Sequence, residues 1–355
     1  MNALCRHFGT CGGCLYQDMP DDAYRALKRD AVLRALKQQG FEDATVEAPI
    51  EVPPGTRRRA TLKIAKRNGA VDIGFHARES HTIVDMRECF VLTPSLFALV
   101  QEMRPMMAAL LNEGDNAEAA ITQTDTGFDL SFQWNKPVTP SRTSEIARWA
   151  QKLKFARISS GKDVLIELTT PSVRFGNATV KLPRDAFLQP TREGDAALQA
   201  HVLAATAGAK TVADLFAGCG TFSLMLAERA RVHAVELEMP MLEALSAAAR
   251  NTQGLKPLTT EKRDLFKVPL GGNELAPYDA VVLDPPRGGA ERQCIEIAKS
   301  KIRRVCYVSC NPVTFARDAR ILVNGGYRMG AIAPVDQFLW SSHTELVATF
   351  TRARR

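Results

Sequence analysis

The chain has no apolar run approaching a membrane span, and its start, Met1-Asn2-Ala3-Leu4-Cys5, lacks a secretory pattern. These absences argue against a helical membrane span, and the protein is expected in the cytoplasm. In that reducing compartment, its eight cysteines point to metal binding or catalysis rather than disulfides. The chain also lacks the second short C-x2–4-C hairpin of a structural zinc site. It lacks a full G-x-G-x-x-G, which a dinucleotide-binding turn would want. Acidic residues are outnumbered: the formal charge is +7, a balance that favours a polyanionic partner such as nucleic acid. Basic residues cluster at Arg57-Arg58-Arg59, Lys63, Lys66-Arg67 and the tail Arg352, Arg354, Arg355. Such runs fit a phosphate backbone, and a solvated face is the competing reading.

What is present begins with Cys5, Cys11 and Cys14, interleaved with Gly9, Gly12 and Gly13, which allow several sulfurs to converge on one centre. Three thiolates need a fourth, and Cys89 in Met86-Arg87-Glu88-Cys89-Phe90 is the best candidate. The asymmetric spacing is closer to iron–sulfur ligation than to zinc. Residues 21–40 carry Tyr24, Leu27, Ala31, Val32 and Leu36 at helical spacing, with a stop at Gly40. Strand-like runs 60–64 and 71–75 are joined by a turn at Asn68-Gly69, and 81–85 leads on to Cys89. The middle of the chain, with a helix at 94–112, offers few chemical signals and reads as scaffold and substrate platform.

From about residue 211 strand and helix alternate. Strands are expected at 211–216, 231–236, 259–263, 280–284 and 304–309, separated by helices near 221–229, 239–251, 291–299 and 313–323. Two further strands follow at 328–335 and 345–351. Alternation of this kind builds a parallel doubly wound sheet. Strand one ends in Asp214-Leu215-Phe216-Ala217-Gly218-Cys219-Gly220-Thr221, a glycine-rich turn that lets a ligand approach the backbone. Glu236, Asp264 and Asp284 close the next three strands, fitting an adenosine-containing cofactor laid across the sheet edge. Because only part of the dinucleotide glycine pattern is present, S-adenosyl-L-methionine is favoured over NAD. Val305-Cys306-Tyr307-Val308 is a buried strand that stops at Ser309-Cys310-Asn311-Pro312, with Pro312 suited to the first turn of the next helix. Cys310 thus sits on the ligand-binding rim, either as a small buried hydrophobe or as a reactive thiol.

The sequence resembles the adenosyl-methionine-dependent RNA uracil-5-methyltransferases, whose members modify 23S rRNA or tRNA. The likeness runs over nearly the whole chain. It is carried by the cysteines Cys5, Cys11, Cys14 and Cys89, by Gly74-Phe75-His76-Ala77-Arg78 with Ser80–Asp85, and by Phe187-Leu188-Gln189. It continues through the Asp214–Thr221 loop, Asp284-Pro285-Pro286-Arg287, Ser309-Cys310-Asn311-Pro312 and His343-Thr344-Glu345. The resemblance implies that Gln189, Phe216, Thr221, Glu236, Asp264 and Asp284 contact S-adenosyl-L-methionine. It implies Cys310 as nucleophile, Glu345 as base, and a [4Fe-4S] cluster on the four N-terminal cysteines, as in the ribosomal-RNA branch. The N-terminal β-barrel RNA-binding domain of some relatives is expected to be missing, and the chain is expected to act as a monomer on an unpaired or flipped uridine of 23S rRNA.

The fold expected is α/β. A doubly wound, seven-stranded class I methyltransferase domain at 183–355, mostly parallel with its last strand antiparallel, follows an iron–sulfur-containing α+β region. That region divides into a cluster-bearing, basic β-rich part at 1–92 and a central RNA platform at 93–182. A thiol pKa lowered by the following helix N-terminus is expected at Cys310. Cys219, Cys294 and Cys306 are expected to be structural, and His343 to orient the last strand. Three alternatives compete. The same reaction on tRNA is disfavoured by the cysteine cluster. An amino-group methyltransferase would want an aromatic residue at Arg287 and has no use for Cys310. A non-catalytic RNA-binding iron–sulfur protein has no use for either Cys310 or Glu345.

Overall fold

The computed structural model describes residues 3–134, 136 and 139–353; Met1, Asn2 and the tail residues Arg354 and Arg355 lie outside the described residues. The first helix, α1 (Asp21–Gln38), stops just before Gly40, and a short strand, β1 (Ile50–Glu51), follows it. The buried stripe of α1 is Tyr24, Lys28, Val32, Ala35 and Leu36, so a lysine stands inside the apolar face. Val32, Ala35 and Leu36 pack into the core of the C-terminal sheet.

Seven strands form the first sheet, in the order β4-β3-β2-β5-β6-β7-β8. They are β2 (Arg59–Arg67), β3 (Ala70–His76), β4 (Ile83–Asp85), β5 (Asn116–Gln123), β6 (Phe128–Trp134), β7 (Phe155–Ser160) and β8 (Asp163–Glu167). Helices α2 (Pro94–Leu110) and α3 (Pro140–Lys152) interrupt them and supply much of the opposing core. The β2–β3 hairpin turns at Asn68-Gly69, both with positive φ (51° and 76°), as a two-residue hairpin loop demands. On β2, Ala60, Leu62 and Ile64 alternate inward against Leu96, Leu99 and Met103 of α2. Strands on either side of residue 92 pair directly, β2 with β5, so where a division was expected the sheet runs on. The helix between them covers one face, and a crossover of that kind conceals sheet continuity from the sequence.

The basic run does not form a free face. Arg58 is buried and pairs with Asp195 at 3.1 Å; Arg59 donates to the Leu188 carbonyl at 2.7 Å. Lys63 pairs with Glu118, and Lys66 closes the C-terminal end of α2 through the Ala108 and Leu111 carbonyls. Each of these cations meets a carboxylate or a backbone carbonyl of the protein itself.

After the hairpin β9 (Ser172–Phe175) and β10 (Ala178–Lys181) the alternation begins. It runs α4 (Arg192–Ala205), β11 (Thr211–Leu215), α5 (Ser223–Ala227), β12 (Arg231–Glu236), α6 (Met239–Asn251), β13 (Leu258–Lys262), α7 (Gly272–Leu275) and β14 (Ala280–Leu283). The chain closes with α8 (Glu291–Lys299), β15 (Arg304–Ser309), α9 (Pro312–Asn324), β16 (Arg328–Asp336) and β17 (Glu345–Thr351). The second sheet has the order β1-β16-β17-β15-β14-β11-β12-β13, with β17 antiparallel to both its neighbours. It holds eight strands rather than the seven expected, because Ile50 and Glu51 add in parallel beside Val335 and Asp336. A two-residue strand carries no periodicity to read. Strands β11, β14 and β15 are nearly continuous apolar runs because helices cover both faces. The order reverses between β11 and β14, and a ligand crevice opens beyond the carboxyl ends of strands at such a point. Among the described residues no helix is long and apolar enough to cross a membrane.

Candidate active site

A cavity of about 700 Å³ lies at that reversal, lined by Gln189, Phe216, Thr221, Glu236, Asp264, Asp284, Cys310 and Glu345. The six residues expected on the cofactor and the two expected in catalysis are therefore brought together. On one side, β11 runs into a turn where Phe216 takes φ +65°, a left-handed value uncommon for a bulky residue, which swings its ring against Phe266 at 5.4 Å. Glu236, at the end of β12, accepts the Gly218 N–H at 3.0 Å and the Leu237 and Glu238 N–H groups at 2.7 and 3.0 Å. Each carboxylate oxygen has more than one lone-pair direction, so capacity remains for a diol. Asp264 is braced by the Phe266 N–H at 3.1 Å and by Lys267 at 3.2 Å. Beneath the turn, Asp214 accepts the Ser223 hydroxyl at 2.5 Å, while its other oxygen is buried without a partner. Burial pushes the Asp214 carboxyl up to about 7, and it is thereby suited to donate as well as accept. A pocket of mixed carboxylate and aromatic lining with an orphaned acid beneath it fits a nucleoside carrying a polar side arm.

The other side is set by strand register. Ser309 of β15 faces Leu346 of β17, so Cys310, one residue beyond, comes opposite Glu345, one residue before. Asn311 caps α9 by accepting the Val313 N–H at 3.1 Å, and its side-chain amide donates to the Arg287 carbonyl at 3.1 Å. That second bond laces the cysteine turn to Asp284-Pro285-Pro286-Arg287. Glu345 is buried and its carboxyl is pushed up to about 7, chiefly by burial, with a hydrogen bond from Gln337 acting the other way. Asp284 is raised well above the usual carboxylate range by burial and by the nearby Glu345, Asp214 and Asp195.

The expectation of a lowered thiol pKa at Cys310 is corrected. Burial, then Glu345 and Asp284, push the thiol up to about 11, against the opposing influence of Arg287. The helix N-terminus is present, but burial first, and then two acids from other strands, set the direction.

Sequence reasoning missed Gln337, whose amide donates to Gln189 Oε1 at 2.6 Å and to Glu345 Oε2 at 3.3 Å. It joins the two halves of the site, and its own Oε1 is buried without a partner. Nothing in the local pattern marks it, because its contacts come from residues 148 and 8 positions away. His343 lines the cavity beside Phe338, with ring centroids 5.7 Å apart. Cys219, Cys294 and Cys306 are buried, and Cys219 also lines the cavity.

The four N-terminal cysteines line a second cavity of about 350 Å³, together with Arg57, Phe75, Phe338 and His343. Gly74–Arg78 holds the cysteine loop in place. The Gly12 N–H donates to the His76 carbonyl at 2.9 Å, and a Cβ on Gly12 would sit 2.8 Å from that same oxygen. Arg78 donates to the Cys14 carbonyl at 2.7 Å. Burial raises all four thiols, and neighbouring cysteines add to the rise in Cys11, Cys14 and Cys89. Among the described residues, no three His, Cys, Asp or Glu side chains are grouped as ligands to one ion. The metal centre expected at Cys5, Cys11, Cys14 and Cys89 is thus seen only as a convergence on one cavity.

The family model described as tRNA (Uracil-5-)-methyltransferase matches residues 157–353. The chain belongs to this family. Over 354 residues it is 43% identical to an uncharacterized RNA methyltransferase of Brucella suis biovar 1 (strain 1330), covering 100% of this chain and 85% of that one. It is 35% identical to the 23S rRNA (uracil(1939)-C(5))-methyltransferase of Halomonas elongata, covering 96% of this chain and 74% of the relative. The Pyrococcus abyssi tRNA (uracil-54, C5)-methyltransferase, solved with S-adenosyl-L-homocysteine, shares the fold at a TM-score of 0.73. That match has 24% identity and covers 96% of this chain and 85% of that one. The protein is thus an S-adenosyl-L-methionine-dependent RNA uracil-5-methyltransferase, and the doubly wound sheet is its class I methyltransferase core.

Proposed function

We propose that this methyltransferase converts one uridine of 23S rRNA to 5-methyluridine through a covalent adduct on Cys310, with Glu345 removing the C5 proton. The observation that carries this reading is the register-fixed apposition of Cys310 and Glu345 in the same cavity as the cofactor-side residues. Uracil C5 is a vinyl carbon too weakly nucleophilic to displace a methyl group from a sulfonium. Addition of the Cys310 thiolate at C6 makes the ring an enolate, and C5 then takes the methyl with departure of S-adenosyl-L-homocysteine. Glu345, as carboxylate, accepts the C5 proton; the C5 electrons re-form the double bond, and Cys310 leaves with its electron pair. On this reading Gln189, Phe216, Thr221, Glu236, Asp264 and Asp284 hold S-adenosyl-L-methionine, and Gln337 keeps Gln189 and Glu345 in one arrangement. A base within a duplex could not enter the cavity, so the target is unpaired or flipped out.

The 23S rRNA assignment is supported by the substrate of the Halomonas relative and by the four converging cysteines. Mapping 5-methyluridine in a strain lacking the gene tests it. Loss of the modification at a 23S rRNA uridine is expected; loss confined to tRNA would overturn the assignment.

The same reading gives Cys5, Cys11, Cys14 and Cys89 as ligands of a [4Fe-4S] cluster. A cubane is held by four cysteine sulfurs, and the cavity of about 350 Å³ that Cys5, Cys11, Cys14 and Cys89 line together is where it would sit. Protein purified without oxygen should be brown and contain iron and sulfide in equal amounts. Colourless protein containing zinc instead would contradict the ligand assignment.

A further inference from the structure

The loop from Asp336 to Glu345 leaves β16 and returns as β17, and it delivers Gln337, Phe338, His343 and Glu345 to the pocket. Its backbone is not relaxed: Trp340 takes φ +58°, a left-handed value costly for a bulky side chain. Such a conformation persists only where surrounding contacts over-determine it. Here those contacts come from the far end of the sequence. The Trp340 N–H donates to the Tyr24 hydroxyl at 2.7 Å, and its carbonyl accepts the Leu15 N–H at 2.7 Å. Lys28 pairs with Asp336 at 2.7 Å and donates to the His343 carbonyl. The Tyr24 hydroxyl donates in turn to the second oxygen of Asp336. Lys28 is 2% exposed and Asp336 is 0% exposed. A lysine so buried is costly to desolvate, and a well-packed apolar pair would often serve stability as well or better. What an apolar pair cannot do is grip backbone carbonyl and carboxylate groups at both ends of a loop.

We propose that Tyr24 and Lys28 of the N-terminal helix are positioning residues for catalysis, clamping the 336–345 loop so that Glu345 meets the C5 proton of the Cys310 adduct. The inference rests on the covalent reading given above and adds to it a part for the N-terminal segment besides metal binding. Leu15 follows Cys14 directly, so the cysteine loop and the clamp grip the same stretch of backbone.

The test uses full-length Tyr24→Phe and Lys28→Met proteins. Three quantities are measured: turnover on unmodified target RNA, affinity for S-adenosyl-L-methionine, and covalent adduct on denaturing gels. Displacing a catalytic group by about an ångström costs on the order of 10²-fold in rate. Turnover in Tyr24→Phe should fall by about that factor, with cofactor affinity unchanged. Because proton removal is the step disturbed, an adduct to unmodified RNA should accumulate, and adduct with 5-fluorouridine RNA should form as in wild type. Wild-type turnover in folded Tyr24→Phe would overturn the proposal. So would a loss of turnover matched by equal losses of cofactor affinity and 5-fluorouridine adduct, which mark a structural role. Tyr24→Phe removes one hydroxyl without changing volume, so the test stands even where Lys28→Met fails to fold. If wild type itself forms no 5-fluorouridine adduct, the covalent reading fails and the clamp's role falls with it.

Discussion

Replacing Cys310 with alanine should lower RNA methylation by at least about 10⁴-fold while leaving S-adenosyl-L-methionine affinity within about twofold. The separation follows from where the side chain lies. Cys310 is half-buried at the end of β15 and belongs to none of the apolar core clusters, so truncation opens no core cavity. The aromatic and carboxylate groups on the cofactor side stand on other strands and keep their backbone bonds. The thiol at about 11 is neutral at physiological pH, held so by burial and by Glu345 and Asp284. Burial raises those two acids as well, Glu345 to about 7 and Asp284 well above the usual carboxylate range, so burial is the main cause of the raised thiol. A sulfonium beside the thiol favours the thiolate by the ordinary attraction of opposite charges. On the covalent reading, binding of the methyl donor and activation of the cysteine are thereby linked. Single-turnover methylation and calorimetric cofactor binding, run on the same preparations, check the split. Comparable losses of both would show a pocket that had collapsed rather than a missing nucleophile.

Glu345→Gln should lower product formation by about 10³-fold, trap adduct on unmodified RNA, and stabilise the folded protein above neutral pH. The kinetic part follows from the loss of a base within reach of the adduct, since glutamine cannot accept the C5 proton. The stability part follows from burial. An unfolded chain ionises this carboxyl near 4.5, whereas the folded protein holds the proton to about 7. The folded form is favoured by that proton at low pH, and the contribution is lost as pH rises through about 7. Above that point the buried carboxylate costs on the order of 3 kcal/mol, and glutamine, still able to accept from Gln337, removes the cost. Thermal melts at pH 8 should show the variant several degrees above wild type, with the gap closing by pH 4 to 5. If Glu345 is the base, the same titration should make wild-type turnover rise with pH through about 7, as Glu345 becomes a carboxylate. A variant of unchanged melting behaviour at both pH values would contradict the account of the buried acid.

The parts of the site legible in the sequence are those that periodicity and strand ends encode. Alternating apolar strands and helices place Glu236, Asp264 and Asp284 on one rim. An antiparallel last strand beside β15 brings Glu345 to Cys310 although they are 35 positions apart. The parts not legible depend on partners from elsewhere in the chain. Lys28 looks like a solvent-facing residue of an amphipathic helix until Asp336 and the His343 carbonyl are set beside it. Arg58 reads as a nucleic-acid contact until Asp195 and the Gln189 carbonyl claim it. Gln337 carries no motif at all. The raised thiol of Cys310 is not legible either: a helix N-terminus is local and readable, while the burial and the acids that oppose it come from other strands.

The central claim is that Cys310 bonds to uracil C6 during methyl transfer, and 5-fluorouridine RNA tests it most directly. Fluorine at C5 leaves no proton for Glu345 to remove, so the methylated adduct cannot eliminate. Wild-type protein incubated with such RNA and S-adenosyl-L-methionine should give a stable RNA–protein species whose peptide map places the modification on Cys310. A complex that never forms, or one that persists in Cys310→Ala, would contradict the account.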